Sequence, residues 1–428
     1  MTTKSRLIGA GIHSYLGARD LRRALARVGR FLHGGRRRVD FYYRADDPYS
    51  HLLAQVLPEL AASFELDVHV IPVDRPTLGA NPAPEMLAYH AMRDARLLAE
   101  RHGLRFPLRD ATPPEDRVRR AHAVLLEERP LAEQLELVAR IGDTVWHDDG
   151  EALATIVNER GAATGESVGP LLARNYTRLE RAGHYQPGML HYGGEWYWGV
   201  DRLHYLVARL REEGLSGDFS LPTGPAPSLR TMLDGATKPT VRLFLSFRSP
   251  YSYLSLPQFR ALRDEGLINL EILPVLPMVM RGLPVPLAKR LYIASDAKRE
   301  ADRLGIPFGR ICDPLGKGIE YCFSLFHRIA APRGIELEFC LSVLQGGWSE
   351  ARDIASVRDL IFLAERVGIS KTEVREAIVD DSWKTRAEAN RKTLTDLGLW
   401  GVPSVQVGSY ATWGQDRVPL IRATLSAS

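Results

Sequence analysis

One short pattern occurs twice in this chain and constrains its fold more than any other feature. In each copy a short apolar run ends abruptly, before Ser249-Pro250 in one copy and before Asp47-Pro48 in the other. An apolar run of this length predicts a strand that is buried on both faces. A serine or aspartate followed by proline predicts the start of a helix, because the side-chain oxygen can accept a hydrogen bond from a first-turn amide. Each copy therefore begins with a strand, a tight turn and a helix.

The two copies keep one spacing over about a hundred positions. Pro250 follows Pro48 by 202 residues, and the same spacing relates several further pairs of identical residues, among them Pro72 and Pro274, Asp94 and Asp296, Phe106 and Phe308, and Trp146 and Trp348. Near the ends of the copies the spacing becomes 215 residues, which pairs Trp198 with Trp413. The chain is therefore predicted to be a tandem duplication of one domain of ordinary size, and not a solenoid.

The order of predicted elements is the same in both copies. Two strands joined by a helix are expected to be parallel, and several helices, two antiparallel strands and a closing helix follow them. In the second copy we expect strands over 241–247, 269–273, 403–407 and 410–413, and one long helix over 371–394. The fold class is thus α/β, with two tandem thioredoxin-like domains of the DsbA type, each carrying a helical insertion.

Composition sets the predicted boundaries of these domains. Glycine and proline are frequent over 214–238, which predicts a linker between a first domain over 39–213 and a second over 239–428. We expect the two domains to pack as a pseudo-dimer. Residues 1–38 form a basic tail with ten Lys or Arg against Asp20, a formal charge of +9 that leaves −5 for the domains of a chain whose net charge is +4. This balance argues against nucleic-acid binding by the domains.

Within the tail an amphipathic helix is predicted over 21–33. Its apolar residues fall on one face and its arginines on the others; the apolar residues are Leu21, Leu25, Val28 and Leu32. Such a helix can pack its apolar face on the protein's own domains, or it can lie on an anionic membrane surface or an acidic partner. The first interpretation is favoured at this point, and the peripheral contact is kept as the alternative.

Cysteine placement excludes dithiol chemistry at the two turns. Cys312, Cys322 and Cys340 form no C-x-x-C motif, and none lies at the start of a predicted core helix. This usage favours a reducing compartment, so a cytoplasmic location is expected. The sequence contains no apolar run long enough for a transmembrane helix, no histidine spacing typical of a metal site and no glycine-rich nucleotide loop.

Four separated motifs of the second copy resemble the 2-hydroxychromene-2-carboxylate isomerases and the kappa-class glutathione transferases. They are Phe247-Arg248-Ser249-Pro250-Tyr251-Ser252-Tyr253-Leu254, Trp348 with Arg352-Asp353-Ile354, Gly401-Val402-Pro403-Ser404, and Trp413-Gly414-Gln415-Asp416-Arg417. The resemblance covers nearly all of 241–424 and implies a DsbA-like thioredoxin fold. It also implies glutathione as cofactor and a small-molecule substrate.

The resemblance assigns roles to particular residues. Ser249 matches the catalytic serine, whose hydroxyl would bind the sulfur of glutathione, and Val402 precedes the cis-proline position, Pro403, where the glutathione backbone pairs. Asp416 would hold the γ-glutamyl amino group, with Gln415 beside it. Four further residues, Arg248, Tyr251, Tyr253 and Tyr292, could line a substrate pocket, although aromatic residues next to a core strand more often pack. Asp94 and Asp296 are expected to be solvated or capping carboxylates, and Trp146 and Trp348 to be buried.

The chemistry of Ser249 supports the same role. A free thiol has a pKa near 8.5, so only a few per cent of it is thiolate at pH 7. A helix N-terminus stabilises an anion by roughly 0.5 to 2 kcal/mol, and a hydroxyl bound to a charged acceptor contributes about 1.5 to 3 kcal/mol. A net gain of about 1.4 to 2.7 kcal/mol would lower the thiol pKa by one to two units. The alternative is that Ser249 only caps its helix.

The first copy departs from the motif at this position. Asp47 replaces the serine, and an aspartate is an equally good cap. A carboxylate about 4 Å from a thiolate would cost roughly 4 kcal/mol at an effective dielectric constant near 20. Gln186, before Pro187, and Asp201 keep part of the expected ligand frame. We therefore expect a degenerate first site, either inactive or selective for a cationic or neutral ligand.

The expected function is a glutathione-dependent isomerase working in the second copy. The resemblance implies an aromatic-acid breakdown product, such as a 2-hydroxychromene-2-carboxylate, as substrate. A kappa-like glutathione transferase is the nearest alternative. A catalytically silent protein that binds or scaffolds others is the alternative of a different class; Asp47 favours it for the first copy, while Ser249 and Asp416 oppose it for the second.

Overall fold

The computed structural model describes residues 2–32, 35, 37–233 and 238–426. The chain divides into two compact units. The first unit is Asp20–Ala226, and the second unit joins Met1–Arg19 to Pro227–Ser428. Two helices precede the first strand: α1 (Thr2–Gly17) and α2 (Arg19–Leu32). None of the helices in the described ranges is both long and apolar enough to cross a bilayer.

The first unit has four strands and seven helices between its first strand and its last described helix. They are β1 (Arg38–Tyr43), α3 (Pro48–Phe64), β2 (Asp67–Pro72), α4 (Pro84–His102), α5 (Glu115–Leu125), α6 (Leu131–Trp146), α7 (Gly150–Arg160), α8 (Gly165–Arg181), β3 (Met189–Tyr192), β4 (Glu195–Trp198) and α9 (Leu203–Glu212). A short 3₁₀ turn, Val200–Arg202, precedes α9. Five helices thus separate the βαβ unit from the closing hairpin, as predicted.

The first sheet has the order β2-β1-β3-β4. β1 is parallel to β2 and antiparallel to β3, which is antiparallel to β4. Val39, Phe41 and Tyr43 alternate into the main core, while Tyr42 packs on the opposite face of the sheet. Burial on both faces explains why most residues of this strand are apolar or aromatic.

The second unit repeats this plan. After α10 (Pro227–Met232) it contains β5 (Thr240–Leu245), α11 (Pro250–Asp264), β6 (Asn269–Pro274), α12 (Leu287–Leu304), α13 (Lys317–Leu325), α14 (Glu336–Ser349), α15 (Val357–Glu365), α16 (Lys371–Ala377), α17 (Trp383–Asp396), β7 (Ser404–Val407), β8 (Tyr410–Trp413) and α18 (Val418–Ser426). A π-turn, Phe326–Ala330, extends α13, and 3₁₀ turns lie at Met278–Arg281 and Gln415–Arg417.

The second sheet has the equivalent order, β6-β5-β7-β8. In the first unit Tyr42 lies opposite Met189, and in the second unit Phe244 lies opposite Ser404. These are the positions that the spacings of 202 and 215 residues relate. The sheet register therefore agrees with the predicted internal repeat, residue for residue, across the central strands.

The structure differs from the predicted elements at two places. The helix predicted over 371–394 is two helices, α16 and α17, because the Asp380 carboxylate accepts hydrogen bonds from the backbone N–H and the hydroxyl of Ser382 at 3.0 and 2.9 Å. Such local bonds compete with helical hydrogen bonding. The helix α1 has no counterpart among the predictions. Its Gly9 lies against the backbone of Ile311, where any side chain would collide with the Ile311 carbonyl group.

The segment predicted as a linker, 214–238, contains residues that pack into each unit. Phe219 is buried in the core of the first unit. In the second unit Leu229 is buried within α10, and the Ser409 N–H donates to the carbonyl of Met232 at 2.9 Å. Apolar residues between the prolines and glycines explain this packing. Residues 234–237 lie outside the described ranges.

The amphipathic helix of the tail is confirmed as α2, but its apolar face does not pack on the first unit, to which the helix belongs. Leu21, Leu25 and Val28 are 63%, 62% and 58% exposed. Within the first unit, the packing that was favoured from the sequence is therefore wrong for this face. Residues 33 and 34, at the predicted C-terminal end of the helix, lie outside the described ranges.

Candidate active site

Ser249 lies at the N-cap of α11, and its hydroxyl makes two hydrogen bonds. The Ser249 Oγ accepts from the Ser252 backbone N–H at 3.1 Å and donates to the Val402 carbonyl oxygen at 3.2 Å. The side chain is half-buried. The capping interpretation is thus confirmed. The hydroxyl hydrogen also points at the residue to which the resemblance assigns ligand pairing.

The loop that faces Ser249 is Val402-Pro403. The peptide bond between these residues is cis. Pro403 is buried, while Val402 is half-buried. The Pro403 carbonyl accepts a hydrogen bond from the Gly414 N–H at 2.9 Å, which ties this loop to the turn that follows β8. Ser249, Val402 and the Gly414 turn therefore meet at one end of the sheet.

The Gly414 turn places Gln415 and Asp416 differently. Asp416 is half-buried, whereas Gln415 is 1% exposed. The Gln415 amide donates to Glu300 at 3.0 Å and to the Asp416 carboxylate, and it accepts from Gln258 at 3.3 Å. With its amide committed to these partners, Gln415 positions Asp416. We therefore correct the expectation that Gln415 itself contacts glutathione.

A tyrosine that is hydrogen-bonded to a buried aspartate accompanies the helix start in both units. The Tyr251 hydroxyl donates to Asp296 at 2.8 Å, and the Tyr49 hydroxyl donates to Asp94 at 2.9 Å. The two carboxylates are 0% and 3% exposed, so the expectation that they are solvated or capping is wrong. Arg299 also donates to Asp296 at 2.8 Å. The repeat itself contained the missed signal, since tyrosine and aspartate are 45 residues apart in both copies.

Removing the tyrosine hydroxyl should destabilise either unit. Tyr251→Phe leaves a buried carboxylate without one donor, and the expected loss is about 1 to 3 kcal/mol of unfolding free energy. Tyr49→Phe is the matched change in the first unit and should have a similar effect there. Thermal denaturation followed by circular dichroism measures both. If neither variant melts at a lower temperature than the wild type, the pair does not stabilise the helix start.

The remaining predicted pocket residues are largely occupied by structural contacts. Arg248 forms a two-point ion pair with Asp313, with distances of 2.8 and 2.6 Å. Tyr253 is 2% exposed and donates to the Pro307 carbonyl at 3.0 Å, and Tyr292 is 6% exposed. Tyr253 and Tyr292 are therefore core residues, so their prediction as pocket lining is wrong. Tyr251, which is half-buried, and Arg248 remain candidates.

None of the three cysteines is a candidate for a reactive thiolate. Cys312, Cys322 and Cys340 are free and buried. Burial raises the pKa of the Cys322 thiol and of the Cys340 thiol far above the usual value. At the start of α11, both Ser249 and Ser252 stand where a dithiol motif would have cysteines. A reactive thiol at this helix end would therefore have to come from a ligand.

In the first unit, Asp47 caps α3 as Ser249 caps α11. Its carboxylate accepts from the Ser50 backbone N–H at 2.7 Å and from the Ser50 hydroxyl at 2.6 Å. Desolvation raises the pKa of Asp47 to about 6, against the lowering effect of the Ser50 hydrogen bonds. Near pH 7 this end of the helix therefore carries a negative charge, which is unfavourable for a thiolate.

The loop opposite Asp47 also differs from its counterpart. Gly188, not Pro187, occupies the position of Pro403, because the Gly199 N–H donates to the Gly188 carbonyl as Gly414 does to Pro403. Gly188 has a φ of 69° and donates its N–H to Tyr42, which proline cannot do. The pairing of Gln186 with Val402 is thus wrong, since Gln186 lies one position further away and is buried. Asp201 does occupy the place equivalent to Asp416.

The second site, in contrast, offers groups that suit glutathione. A half-buried hydroxyl lies at a helix N-terminus, which favours a bound anion such as a thiolate. A carbonyl within hydrogen-bonding distance of that hydroxyl suits the amide of a peptide ligand, and the half-buried Asp416 carboxylate suits an ammonium group. Among the described residues, no group of three His, Cys, Asp or Glu side chains is arranged to hold a metal ion.

Comparison with known proteins finds a family model that matches part of the second unit. Residues 240–426 match the family of the DSBA-like thioredoxin domain, which confirms the resemblance at that level. Similar solved structures include a 2-hydroxychromene-2-carboxylate isomerase, 18% identical over 44% of this chain and 95% of that chain with a TM-score of 0.39. They also include the cytosolic disulfide reductase DsbM from Pseudomonas aeruginosa with GSH, 15% identical over 44% and 96% with a TM-score of 0.36. No curated protein matches the chain.

Proposed function

We propose that the second unit, whose residues 240–426 form a DsbA-like thioredoxin domain, is a glutathione-dependent isomerase with its reactive centre at Ser249. One observation carries the proposal. The Ser249 hydroxyl caps α11 and at the same time reaches the Val402 carbonyl at 3.2 Å, so one polar group lies between the helix N-terminus and the cis-proline loop.

Each residue of this site would bind a different part of glutathione. Ser249 can turn its hydroxyl hydrogen from the Val402 carbonyl towards a sulfur anion while its oxygen continues to accept from Ser252. The Val402 carbonyl would then accept a hydrogen bond from the ligand's peptide backbone. Asp416, held in place by Gln415, would pair with the α-amino group of the γ-glutamyl residue. The N-terminus of α11 adds a favourable field for the anion.

When bound, glutathione would supply a thiolate for reversible addition to an electrophilic carbon of the substrate. The chain itself positions that thiolate and stabilises its charge through Ser249 and the helix terminus. An aromatic-acid breakdown product, such as a 2-hydroxychromene-2-carboxylate, is the proposed substrate. In the alternative, a kappa-like transferase, the product keeps the thioether, and the roles of Ser249, Val402 and Asp416 are the same.

Calorimetric titration with glutathione tests the proposal. The wild type should bind, and Ser249→Ala combined with Asp416→Ala should weaken binding by about tenfold to a thousandfold, because each change removes a charge-assisted contact of about 1.5 to 3 kcal/mol, with partial compensation. Asp47→Ala is the matched control in the first unit and should leave the affinity unchanged.

Two outcomes would sink the proposal. Glutathione could fail to bind the wild type, or it could bind the double variant with wild-type affinity. Either result would favour a protein that binds or scaffolds others without catalysis, as Asp47 already suggests for the first unit. Glutathione binding that depends on Asp47 and not on Ser249 would move the site to the first unit.

A further inference from the structure

The strongest feature outside the site is the apolar face of α2. Leu21, Leu25 and Val28 are each about three-fifths exposed, and Phe31, one turn further along, is 83% exposed. The three aliphatic residues recur at the spacing that places them on one side of a helix. Scattered exposed apolar residues are common on proteins, but a continuous helical stripe is a sign of an interaction surface.

The helix is attached to the first unit through its opposite, charged face. The Arg23 guanidinium donates to both carboxylate oxygens of Glu195 at 2.9 and 3.0 Å and to Glu212 at 3.1 Å. Leu21 and Leu25 are each two positions from Arg23, and two positions on a helix of 3.6 residues per turn point to nearly opposite sides. The ion pairs with Arg23 therefore direct the apolar face away from the first unit.

The ion pairs between Arg23 and Glu195 persist at physiological pH. Glu195 also accepts from Arg209 at 3.3 Å, and Arg209 is 2% exposed. Although burial would raise it, hydrogen bonds and ion pairs with Arg23 and Arg209 lower the pKa of Glu195 to about 2. The carboxylate thus stays charged at any physiological pH. The outward direction of the apolar face is set by a fixed contact.

The charge distribution of the chain indicates what binds the apolar face of α2. Residues 1–38 carry a formal charge of +9, and the remainder of the chain carries −5. Along α2 and the segment after it, Arg19, Arg22, Arg23, Arg27, Arg30, Arg36, Arg37 and Arg38 surround the apolar residues in sequence, and Asp20 is the single acidic residue. An apolar stripe with basic surroundings matches the boundary of an anionic bilayer, where acyl chains lie beneath acidic headgroups.

We propose that α2 is a peripheral membrane anchor, with Leu21, Leu25, Val28 and Phe31 inserted at the headgroup boundary of an anionic lipid surface. The helix lies in the plane of the membrane, and the basic residues around it contact the acidic headgroups. The positive charge of residues 1–38 makes the attachment dependent on anionic lipid and sensitive to salt. The anchor is independent of the chemistry proposed for Ser249.

Sedimentation with lipid vesicles tests the anchor. The full chain is mixed with vesicles of phosphatidylcholine alone or of phosphatidylcholine with phosphatidylglycerol, at low and high salt. The wild type should bind only the anionic vesicles, and added salt should weaken binding. Leu25→Glu combined with Val28→Glu should reduce binding about tenfold or more, because it places two anions in the apolar face. The matched control is Leu78→Glu combined with Leu108→Glu, at leucines that are 71% and 74% exposed elsewhere in the first unit.

Three results would overturn the proposal. The wild type could fail to bind anionic vesicles, it could bind neutral vesicles equally well, or the Leu25 and Val28 changes could leave binding unaltered. Light scattering of the same samples without lipid tests the other possible partner of the apolar face, which is a second copy of the chain. The wild type could instead form a dimer and fail to bind vesicles. If Leu25→Glu combined with Val28→Glu dissociates that dimer, the apolar face of α2 is a self-association surface. Circular dichroism checks that each variant is folded.

Discussion

Replacing Ser249 by aspartate is expected to abolish glutathione-dependent turnover while leaving the second unit folded. The first unit supplies the precedent for the fold, because Asp47 caps α3 through the same first-turn amide position that Ser249 uses on α11. The chemistry should fail because a carboxylate about 4 Å from the sulfur costs roughly 4 kcal/mol at an effective dielectric constant near 20. That energy corresponds to about a thousandfold loss.

The thiol pKa of bound glutathione provides a direct measurement. Thiolate absorbance, followed against pH with saturating protein, should show a lowered pKa in the wild type and in Ser249→Thr, which keeps the hydroxyl. Ser249→Ala should lose part of the shift, since about 1.5 to 3 kcal/mol of hydrogen bonding to the anion disappears. Ser249→Asp should raise the pKa above that of free glutathione. A lowered thiol pKa in the aspartate variant would contradict the role assigned to Ser249.

Acid should destabilise the first unit through His122. The Nε2 atom of this 1% exposed residue accepts a hydrogen bond from the Ala45 backbone N–H at 3.0 Å, which requires a neutral ring. Burial, together with the nearby Arg44 guanidinium, lowers the pKa of His122 to about 3. The unfolded chain takes up a proton below about pH 6.5, so the stability contributed by neutral His122 is present above that pH and is lost as the pH falls towards 3.

The expected loss from His122 alone is about 2 kcal/mol by pH 5, and it increases as the pH falls further towards 3. Urea denaturation at pH 7.5 and pH 5.0 measures it. His122→Gln keeps an acceptor near Ala45 but does not titrate, so its stability should fall less between the two pH values than that of the wild type. His147→Gln, at an exposed histidine, is the control and should keep the wild-type difference. Equal pH dependence in His122→Gln and the wild type would exclude this account.

Much of the fold was predictable from the sequence because its signals are local. Apolar runs predicted β1 and β5, and the cap residues before Pro48 and Pro250 predicted where α3 and α11 begin. A repeated spacing then extended each local pattern from one copy to the other. The prediction of one continuous helix over 371–394 failed because the pattern does not reveal the local hydrogen bond between Asp380 and Ser382, which lies between α16 and α17.

The candidate site was predictable only in part. Ser249 and Val402 lie 153 residues apart, and their contact at 3.2 Å was anticipated through family resemblance, since local propensity contains no information about such a distance. For the remaining candidate residues, the burial of the side chain decided whether it could contact a ligand. Gln415 and Tyr253 carry suitable functional groups, but the structure commits both to contacts in the interior.

The sequence by itself determined that one strand–turn–helix unit occurs twice, that neither turn holds a dithiol, and that a single residue, Ser249 or Asp47, distinguishes the two helix starts. Tertiary structure alone decided that Gly188 replaces Pro403, that Tyr251 meets Asp296, and that α2 presents its apolar face outward. The physical reason is the range of the interactions. Backbone preference and capping act over a few residues, whereas these three facts depend on sheet register and on ion pairs such as that of Arg23 with Glu195, 172 residues away.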